Sequence, residues 1–262
     1  MTILEKITTY KQKEVSAKKE AFPVSLLEQS KWFEKETYSL ATALRNTHTG
    51  IIAEHKRRSP SKPSINNNVQ VQDVARGYEM AGVNGMSVLT DTNFFGGSLD
   101  DLVLARKATT FPLLRKEFII DPYQIYEAKA YGADAILLIA ACLTEIQLKE
   151  FSALAKSLQL DVLLEVHNED ELRKSLHETV DMLGVNNRNL KTFETSLEIS
   201  KQLAPLIPNE FVKVSESGIS TVEAISELQQ YGYQGFLIGE NFMKTENPGE
   251  AAKQFIKKLF NE

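Results

Sequence analysis

Eight short apolar runs of strand length recur along the chain, each followed by a segment of helical length. The predicted strands are Gly50–Glu54, Gly85–Leu89, Leu113–Lys116, Ala135–Leu138, Val162–Glu165, Met182–Val185, Phe211–Ser215 and Gly235–Ile238. The segments with apolar residues at helical spacing include Gln72–Ala81, Asp121–Tyr131, Glu145–Leu158, Asn168–His177, Leu197–Leu203 and Thr221–Tyr231. Regular alternation of strands and helices is typical of α/β proteins with a parallel sheet. Eight repeats within 262 residues predict a (β/α)8 barrel, or TIM barrel.

A doubly wound open sheet is the alternative architecture for such a pattern. It usually has fewer strands, and its glycine-rich phosphate motif is missing after the first strand here. Residues 1–48 precede the first strand, are rich in Lys and Glu, and carry Ile3, Leu4, Ile7 and Tyr10 at helical spacing. We therefore predict one domain over residues 1–262, with residues 1–48 forming one or two extra helices packed on the barrel.

Charge and composition restrict the partners and the compartment that we expect. The net charge of −5 does not favour nucleic acid or an acidic membrane as a partner, and no apolar run approaches the ~20 residues that span a bilayer. The N-terminus lacks the apolar core of a secretory signal, so we expect a soluble cytoplasmic protein. We further expect this protein to be a monomer or a weak homodimer. The single cysteine, Cys142, is predicted to be a buried small apolar residue. We predict no metal, because no ligand spacing connects the four histidines His48, His55, His167 and His177.

Charged side chains follow several of the predicted strands at their carboxyl ends. Glu54 and Lys56 end the first strand on the same side, Lys116 ends the third, and Glu165 ends the fifth. A single charged residue that follows a strand is more often a solvent-exposed side chain than a catalytic group. Buried charges are unfavourable unless they are paired, however, and these residues continue core-forming runs. Because barrel active sites lie at this end of the strands, the four residues predict an acid/base site.

Backbone groups beside glycines predict a separate phosphate site. Ser217 and Gly218 follow the seventh strand, and Gly239 and Glu240 follow the eighth. These two loops, with a short helix, commonly hold phosphate in this fold. The side chain of Glu240 is expected to point away from a phosphate, whereas its backbone N–H can donate. The alternative is that the glycines are ordinary turn residues.

The chain from Ile51 onward resembles the indole-3-glycerol phosphate synthase family. The resemblance depends on the order of eight motifs, which are IIAEHKRRSPS, LTDTNFFGGSLDDL, LRKEFIIDPYQIYEA, GADAILLIA, LLEVHNEDEL, LGVNNRNL, VSESGI and FLIGENFM. A helical extension before the barrel is also common in that family. Glu240 departs from the pattern, because a small hydroxyl residue is common at this position. No isomerase domain follows Glu262 in the sequence, so we expect the monofunctional form of the family.

The resemblance implies a ring closure of 1-(2-carboxyphenylamino)-1-deoxyribulose 5-phosphate with loss of carbon dioxide and water. Lys116 matches the general acid of the family, and Glu165 and Glu54 are implied as acid/base residues. Lys56 is implied both to bind the substrate carboxylate and to donate a proton. Ser59, Asn186 and Arg188 are implied to position the substrate, and Phe94, Phe95 and Phe118 to line its aromatic ring. The implied phosphate ligands are Arg188, Ser217, Gly218, Gly239 and Glu240. No cofactor is implied, because rearomatisation drives the decarboxylation.

Two other functions fit part of the pattern. Lys116 is also a candidate Schiff-base nucleophile of a sugar-phosphate aldolase, although such an enzyme has no need for the Glu54 and Lys56 pair. A non-catalytic phosphate-binding barrel would keep the last two loops but has no use for Lys116 and Glu165 in a buried mouth.

Overall fold

The computed structural model describes residues 1–190 and 192–260. Its strands are β1 (Ile51–His55), β2 (Gly85–Leu89), β3 (Leu113–Lys116), β4 (Ala135–Ile139), β5 (Asp161–Val166), β6 (Met182–Asn186), β7 (Val212–Glu216) and β8 (Gly235–Ile238). All eight predicted strands are confirmed. β1 and β7 each begin and end one residue later than predicted, and this shift makes Glu216 the last residue of β7.

The strands form a closed parallel barrel in sequence order, with β8 paired to β1. The open-sheet alternative is therefore excluded. The register brings the charged strand ends to a similar height: Lys116 pairs with Leu89, Glu165 pairs with Ile139, and Glu216 pairs with Asn186. Within the described ranges, no helix is long and apolar enough to cross a membrane.

Twelve α-helices surround or precede these strands within the described residues. They are α1 (Ile3–Ala21), α2 (Val24–Leu27), α3 (Leu40–Arg45), α4 (Val71–Ala81), α5 (Leu99–Ala108), α6 (Tyr123–Ala130), α7 (Glu145–Ser157), α8 (Glu169–Arg173), α9 (Glu198–Leu203), α10 (Val222–Gln230), α11 (Glu240–Met243) and α12 (Pro248–Leu259). The six predicted helices are confirmed, but α8 is much shorter than predicted. After Arg173 the chain forms short-range turns, with the Ser175 and Val180 amides bonded to carbonyls three residues back.

The barrel interior is apolar in its lower layers and charged in its upper layer. Ile52, Leu114, Leu163 and Val214 are fully buried in one cluster, and apolar side chains of α3 join it from the amino-terminal end. Two residues further along the same strands, the inward positions are Glu54, Lys116, Glu165 and Glu216. The alternation of strand residues thus delivers these four charges to the carboxyl end of the barrel.

The N-terminal segment contains three helices before β1, rather than the predicted one or two. The first, α1, begins at a capping box made by Thr2 and Glu5. Its Lys11 is 1% exposed and places Nζ 3.0 Å from Asp91 and 3.1 Å from Glu117. Because these carboxylates follow β2 and β3, the buried ion pairs hold α1 against the barrel near its carboxyl end.

Candidate active site

A cavity of about 450 Å³ opens at the carboxyl ends of the strands. Barrel enzymes place their active sites at this end, where loops after different strands converge. The apolar side chains of α1 reach the same cavity. Its lining includes Ile3, Leu4, Ile7, Glu54, Lys56, Ser59, Phe95, Lys116, Phe118, Glu165, Asn186, Arg188, Glu216, Ser217, Gly218, Gly239 and Glu240.

Lys116 lies between two carboxylates at the base of the cavity. Its Nζ is 3.2 Å from Oε2 of Glu165 and 2.5 Å from Oε2 of Glu216. Burial disfavours the charged amine, but Glu216, Glu165 and Glu54 outweigh that effect and raise the pKa of Lys116 above its ordinary value. Lys116 is therefore an ammonium near neutral pH and has a proton to donate.

The two carboxylates beside Lys116 differ in their charge state. Burial raises the pKa of Glu216 to about 7, in spite of the opposing effect of Lys116. Burial acts in the same direction on Glu165, but the positive charges of Lys116 and His167 and a hydrogen bond from Asn186 lower the pKa of Glu165. Neighbouring acids whose pKa values are pushed apart are suited to opposite roles in proton transfer.

Glu54 and Lys56 form a second charged pair at the cavity wall, with Nζ of Lys56 2.7 Å from Oε1 of Glu54. Glycines make room for the carboxylates of the site. A Cβ on Gly239 would lie 2.6 Å from Oε1 of Glu54, and a Cβ on Gly184 would lie 2.4 Å from Oε1 of Glu216. The φ of Gly239 is −114°, so close approach and not a left-handed backbone explains this glycine.

Two of the three predicted aromatic residues line the cavity. The rings of Phe95 and Phe118 lie 5.7 Å apart at an interplanar angle of 38°. The structure does not bring Phe94 to this wall, because its ring packs edge-on against Tyr10 of α1 at 5.8 Å. Oδ1 of Asp91 accepts the backbone N–H groups of both Phe94 and Phe95, which fixes the turn from which the neighbouring rings diverge.

The loops after β6, β7 and β8 form the opposite rim of the cavity. Ser217 and Gly218 have φ values of +68° and +78°, and Gly239 precedes the first turn of α11. Arg188 follows β6 and donates from Nη1 to the carbonyl of Phe193 at 3.1 Å. This rim combines a cation with backbone amides at the start of a helix, an arrangement suited to an anion.

Glu240 and Ser59, which are both half-buried, are further polar residues of the cavity lining. Glu240 pairs with Lys62 of the loop after β1, and this contact, with the charges of Lys56 and Arg188, lowers the pKa of Glu240. The Glu240 carboxylate is therefore ionised but has a cation of its own. Ser59 and Lys62 pair as an antiparallel bridge, which keeps the loop after β1 folded back on itself.

Comparisons with known proteins identify the family of the chain. The family model for indole-3-glycerol phosphate synthase matches residues 4–255. An indole-3-glycerol phosphate synthase of Bacteroides thetaiotaomicron is 45% identical over 98% of both chains. Those of Legionella pneumophila (strain Paris) and Variovorax paradoxus are 43% and 40% identical, over 97% of this chain and 98% and 99% of theirs. The chain belongs to the indole-3-glycerol phosphate synthase family.

More distant solved structures share the barrel fold with this member of the synthase family. A thiamine phosphate pyrophosphorylase from Pyrococcus furiosus superimposes with a TM-score of 0.61 at 14% identity, over 85% of this chain and 98% of that one. KGPDC from Streptococcus mutans gives a TM-score of 0.62 at 12% identity, over 80% and 97%. At such identities the similarity concerns the fold alone.

Glu216 and His167 contact the synthase site but were not among the residues predicted for it. The predicted seventh strand stopped at Ser215, which left Glu216 in a loop. Continuing the inward alternation of Val212 and Val214 by one step would have placed Glu216 inside the barrel. His167 stands two residues after Glu165, and the same alternation would have placed both on one side of β5.

Proposed function

We propose that this chain closes the indole ring of 1-(2-carboxyphenylamino)-1-deoxyribulose 5-phosphate and releases indole-3-glycerol phosphate, carbon dioxide and water. The family membership supports this reaction. The observation that carries the proposal is the position of Lys116, whose ammonium lies between Glu165 and Glu216 at the base of the cavity. A site of this kind can supply both the acid and the base that the reaction needs.

Ring closure places negative charge on the ketone oxygen of the sugar. The ring carbon that bears the carboxylate attacks the ketone carbon, and the Lys116 ammonium gives its proton to the oxygen, which becomes a hydroxyl. The C–C bond to the carboxylate then breaks, carbon dioxide leaves, and its electron pair restores the aromatic ring. We propose no cofactor, because rearomatisation drives this step and the rest is proton transfer.

Dehydration then needs an acid for the departing hydroxyl and a base for the proton of the substrate. Glu165 is suited to act as the base, since its neighbours hold it ionised. Glu216, with its pKa raised to about 7, can exist in either form near neutral pH and is suited to return protons within the site. Glu54 and Lys56 form the second acid/base pair, with Lys56 also binding the substrate carboxylate.

The remaining lining residues position the substrate. We assign Phe95 and Phe118 to the aromatic ring, and Ser59 and Asn186 to polar groups of the open sugar. The phosphate is assigned to Arg188 and to backbone amides at Ser217, Gly218, Gly239 and Glu240. The Glu240 side chain takes no part, since its charge is compensated by Lys62.

The raised pKa of Lys116 disfavours the aldolase alternative. A Schiff-base lysine must be a neutral amine to attack a carbonyl, and enzymes lower its pKa for that purpose. Incubation of the purified chain with the anthranilate-derived substrate should give the fluorescence of indole. Borohydride should leave Lys116 unmodified during turnover. Absence of indole, or reduction of substrate onto Lys116, would overturn the proposal.

We also propose that residues 1–262 act as one domain in the cytoplasm, as a monomer or weak homodimer without nucleic acid or membrane partners. The buried contacts of Lys11 with Asp91 and Glu117 support a single domain, because they tie α1 to the barrel. Size-exclusion chromatography with light scattering, at several protein concentrations, measures the oligomeric state directly.

A further inference from the structure

The Glu165 carboxylate has a histidine on the side away from Lys116. Nε2 of His167 lies 3.4 Å from Oε1 of Glu165, and Nδ1 of His167 lies 3.1 Å from Oε2 of Glu171. We propose that His167, held by Glu171, is a positioning residue that keeps Glu165 ionised and oriented as the base of the reaction. The inference rests on the proposed function, in which Glu165 accepts a proton from the substrate.

The geometry explains why His167 acts through Glu165 and not on the substrate. His167 follows β5 two residues after Glu165, so both side chains leave the strand on the same side. His167 is not among the residues that line the cavity. Its Nε2 is buried and makes no hydrogen bond of normal geometry to any residue in the described ranges, whereas Oε1 of Glu165 lies within ion-pair distance.

Glu171 fixes the imidazole from the other side. Oε2 of Glu171 accepts the backbone N–H of His167 at 2.9 Å, and Oε1 accepts the side-chain amide of Asn168 at 3.0 Å. These bonds hold the Glu171 carboxylate at the first turn of α8, where it also contacts Nδ1 of His167. A carboxylate on one ring nitrogen sets the orientation of the ring and favours its charged form.

The surrounding charges favour an imidazolium. Burial disfavours the charged ring, but Glu171, Glu165 and Glu216 outweigh burial and raise the pKa of His167. The other titratable groups that face this cluster are Cys142, Lys174 and Lys116. Burial raises the pKa of the Cys142 thiol to about 12, so it stays neutral, and Lys174 donates to the carbonyls of Ala140 and Leu143.

A cation at this position has a defined effect on the base. His167 is one of the positive neighbours that lower the pKa of Glu165, so it keeps the carboxylate ionised on the acidic side of neutrality. As the pH rises through the raised pKa of His167, the ring loses its charge and this effect disappears. The contribution of His167 to activity is therefore confined to low and neutral pH.

The pH dependence of kcat in His167→Asn tests the proposal, because asparagine cannot carry the charge. Loss of a close opposite charge typically moves a carboxyl pKa by 1 or more units. We expect the acidic limb to move to higher pH by about one unit, which lowers kcat about tenfold on that limb. The difference should vanish on the alkaline side, and KM should not change. Glu171→Gln should move the limb in the same direction by less.

The matched control is His48→Asn, since His48 is exposed and precedes β1 at the opposite end of the barrel. It should leave the limb in place. An acidic limb that is unchanged in both His167→Asn and Glu171→Gln, or a uniform loss of kcat at all pH values, would overturn the proposal. If His167→Asn does not fold, Glu171→Gln carries the same test.

A titration without substrate separates this inference from the proposed function. The carboxyl carbon of Glu165 can be followed by carbon NMR in labelled protein, with Glu165→Gln identifying its signal. Its midpoint should lie below the ordinary glutamate value and should rise by about one unit in His167→Asn. An unchanged midpoint refutes the role of His167, whereas a wild-type protein that forms no indole refutes only the function.

Discussion

Replacing Lys116 with Met removes the cation that lies between Glu165 and Glu216. In the proposed reaction the ketone oxygen then lacks its proton donor, and a positioned acid typically contributes ~10²–10⁴-fold to the rate. The same change leaves two buried carboxylates facing each other without the ammonium that contacts both. We therefore expect losses of both turnover and stability, from one substitution and for two separate reasons.

The stability loss can be estimated from the position of Lys116. Removing one partner of a buried ion pair typically costs ~3–5 kcal/mol. The Lys116 side chain is 13% exposed at an open cavity, where water can solvate the remaining charges, so we expect about 3 kcal/mol. For a chain of this size, that corresponds to a fall in Tm of about 6–12 °C.

The stability loss should depend on pH in a definite direction. Without Lys116, the pKa of Glu216, already raised to about 7, has no nearby cation to lower it. A carboxyl whose pKa is raised in the folded state stays protonated to a higher pH than in the unfolded chain. The free energy of unfolding therefore falls as the pH rises through the pKa of the folded state. The Tm deficit of Lys116→Met should therefore be large at about pH 8 and small near the unfolded glutamate pKa of about 4.3.

Calorimetry at acid and alkaline pH measures this deficit, and indole fluorescence measures turnover. The double variant Lys116→Met/Glu216→Gln is the matched control, because it removes the unpaired carboxylate but does not restore the acid. It should recover much of the Tm at alkaline pH and remain inactive. Equal deficits at both pH values, or no recovery in the double variant, would refute the electrostatic reasoning. More than a tenth of normal kcat in the single variant would refute Lys116 as the acid.

Three further substitutions test other parts of the site. Glu165→Gln keeps the size of the side chain but removes the proposed base, so kcat should fall by ~10²-fold or more with KM unchanged. An effect on KM alone would make Glu165 a binding residue. Gly239→Ala places a Cβ against Glu54, so we expect a lower kcat and a lower affinity for phosphate, the latter measured by calorimetric titration. Unchanged values of both quantities would contradict the close packing of Gly239 against Glu54. Lys11→Met leaves Asp91 buried without its cation, so we expect the free energy of unfolding, measured by chemical denaturation, to fall by about 3 kcal/mol and KM to rise. A variant as stable as the wild type would show that α1 is held by other contacts.

The barrel was predictable from the sequence because its determinants are local. Each strand is a short apolar run, and alternation along the run fixes which residues face inward, as for Glu54 and Glu165. Glu216 was missed because its flanking serines and glycine are typical of a turn, which moved the predicted strand end by one residue. The contact of Lys11 with Asp91 and Glu117 joins segments far apart in the sequence, and no local pattern of residues specifies such a pairing.

Local sequence patterns also did not predict which aromatic side chain of the loop after β2 lines the cavity. Phe94 and Phe95 are adjacent and chemically equivalent, so the sequence did not distinguish the one that lines the cavity. The choice depends on the Asp91 carboxylate, which orients both backbone amides, and on Tyr10 of α1, which receives the ring of Phe94.

Gly184 and Gly239 each occupy the place of a side chain that a carboxylate of the proposed site fills instead. A Cβ at either position would overlap Glu216 or Glu54, so each glycine and its carboxylate share a single volume. Reshaping this barrel for a different reaction therefore couples each glycine to its carboxylate. A larger residue at Gly184 or Gly239 requires the side chain of Glu216 or Glu54 to move or to be shortened. Libraries that vary each pair together can therefore reach arrangements of acid and base that variation of the glycine alone does not reach.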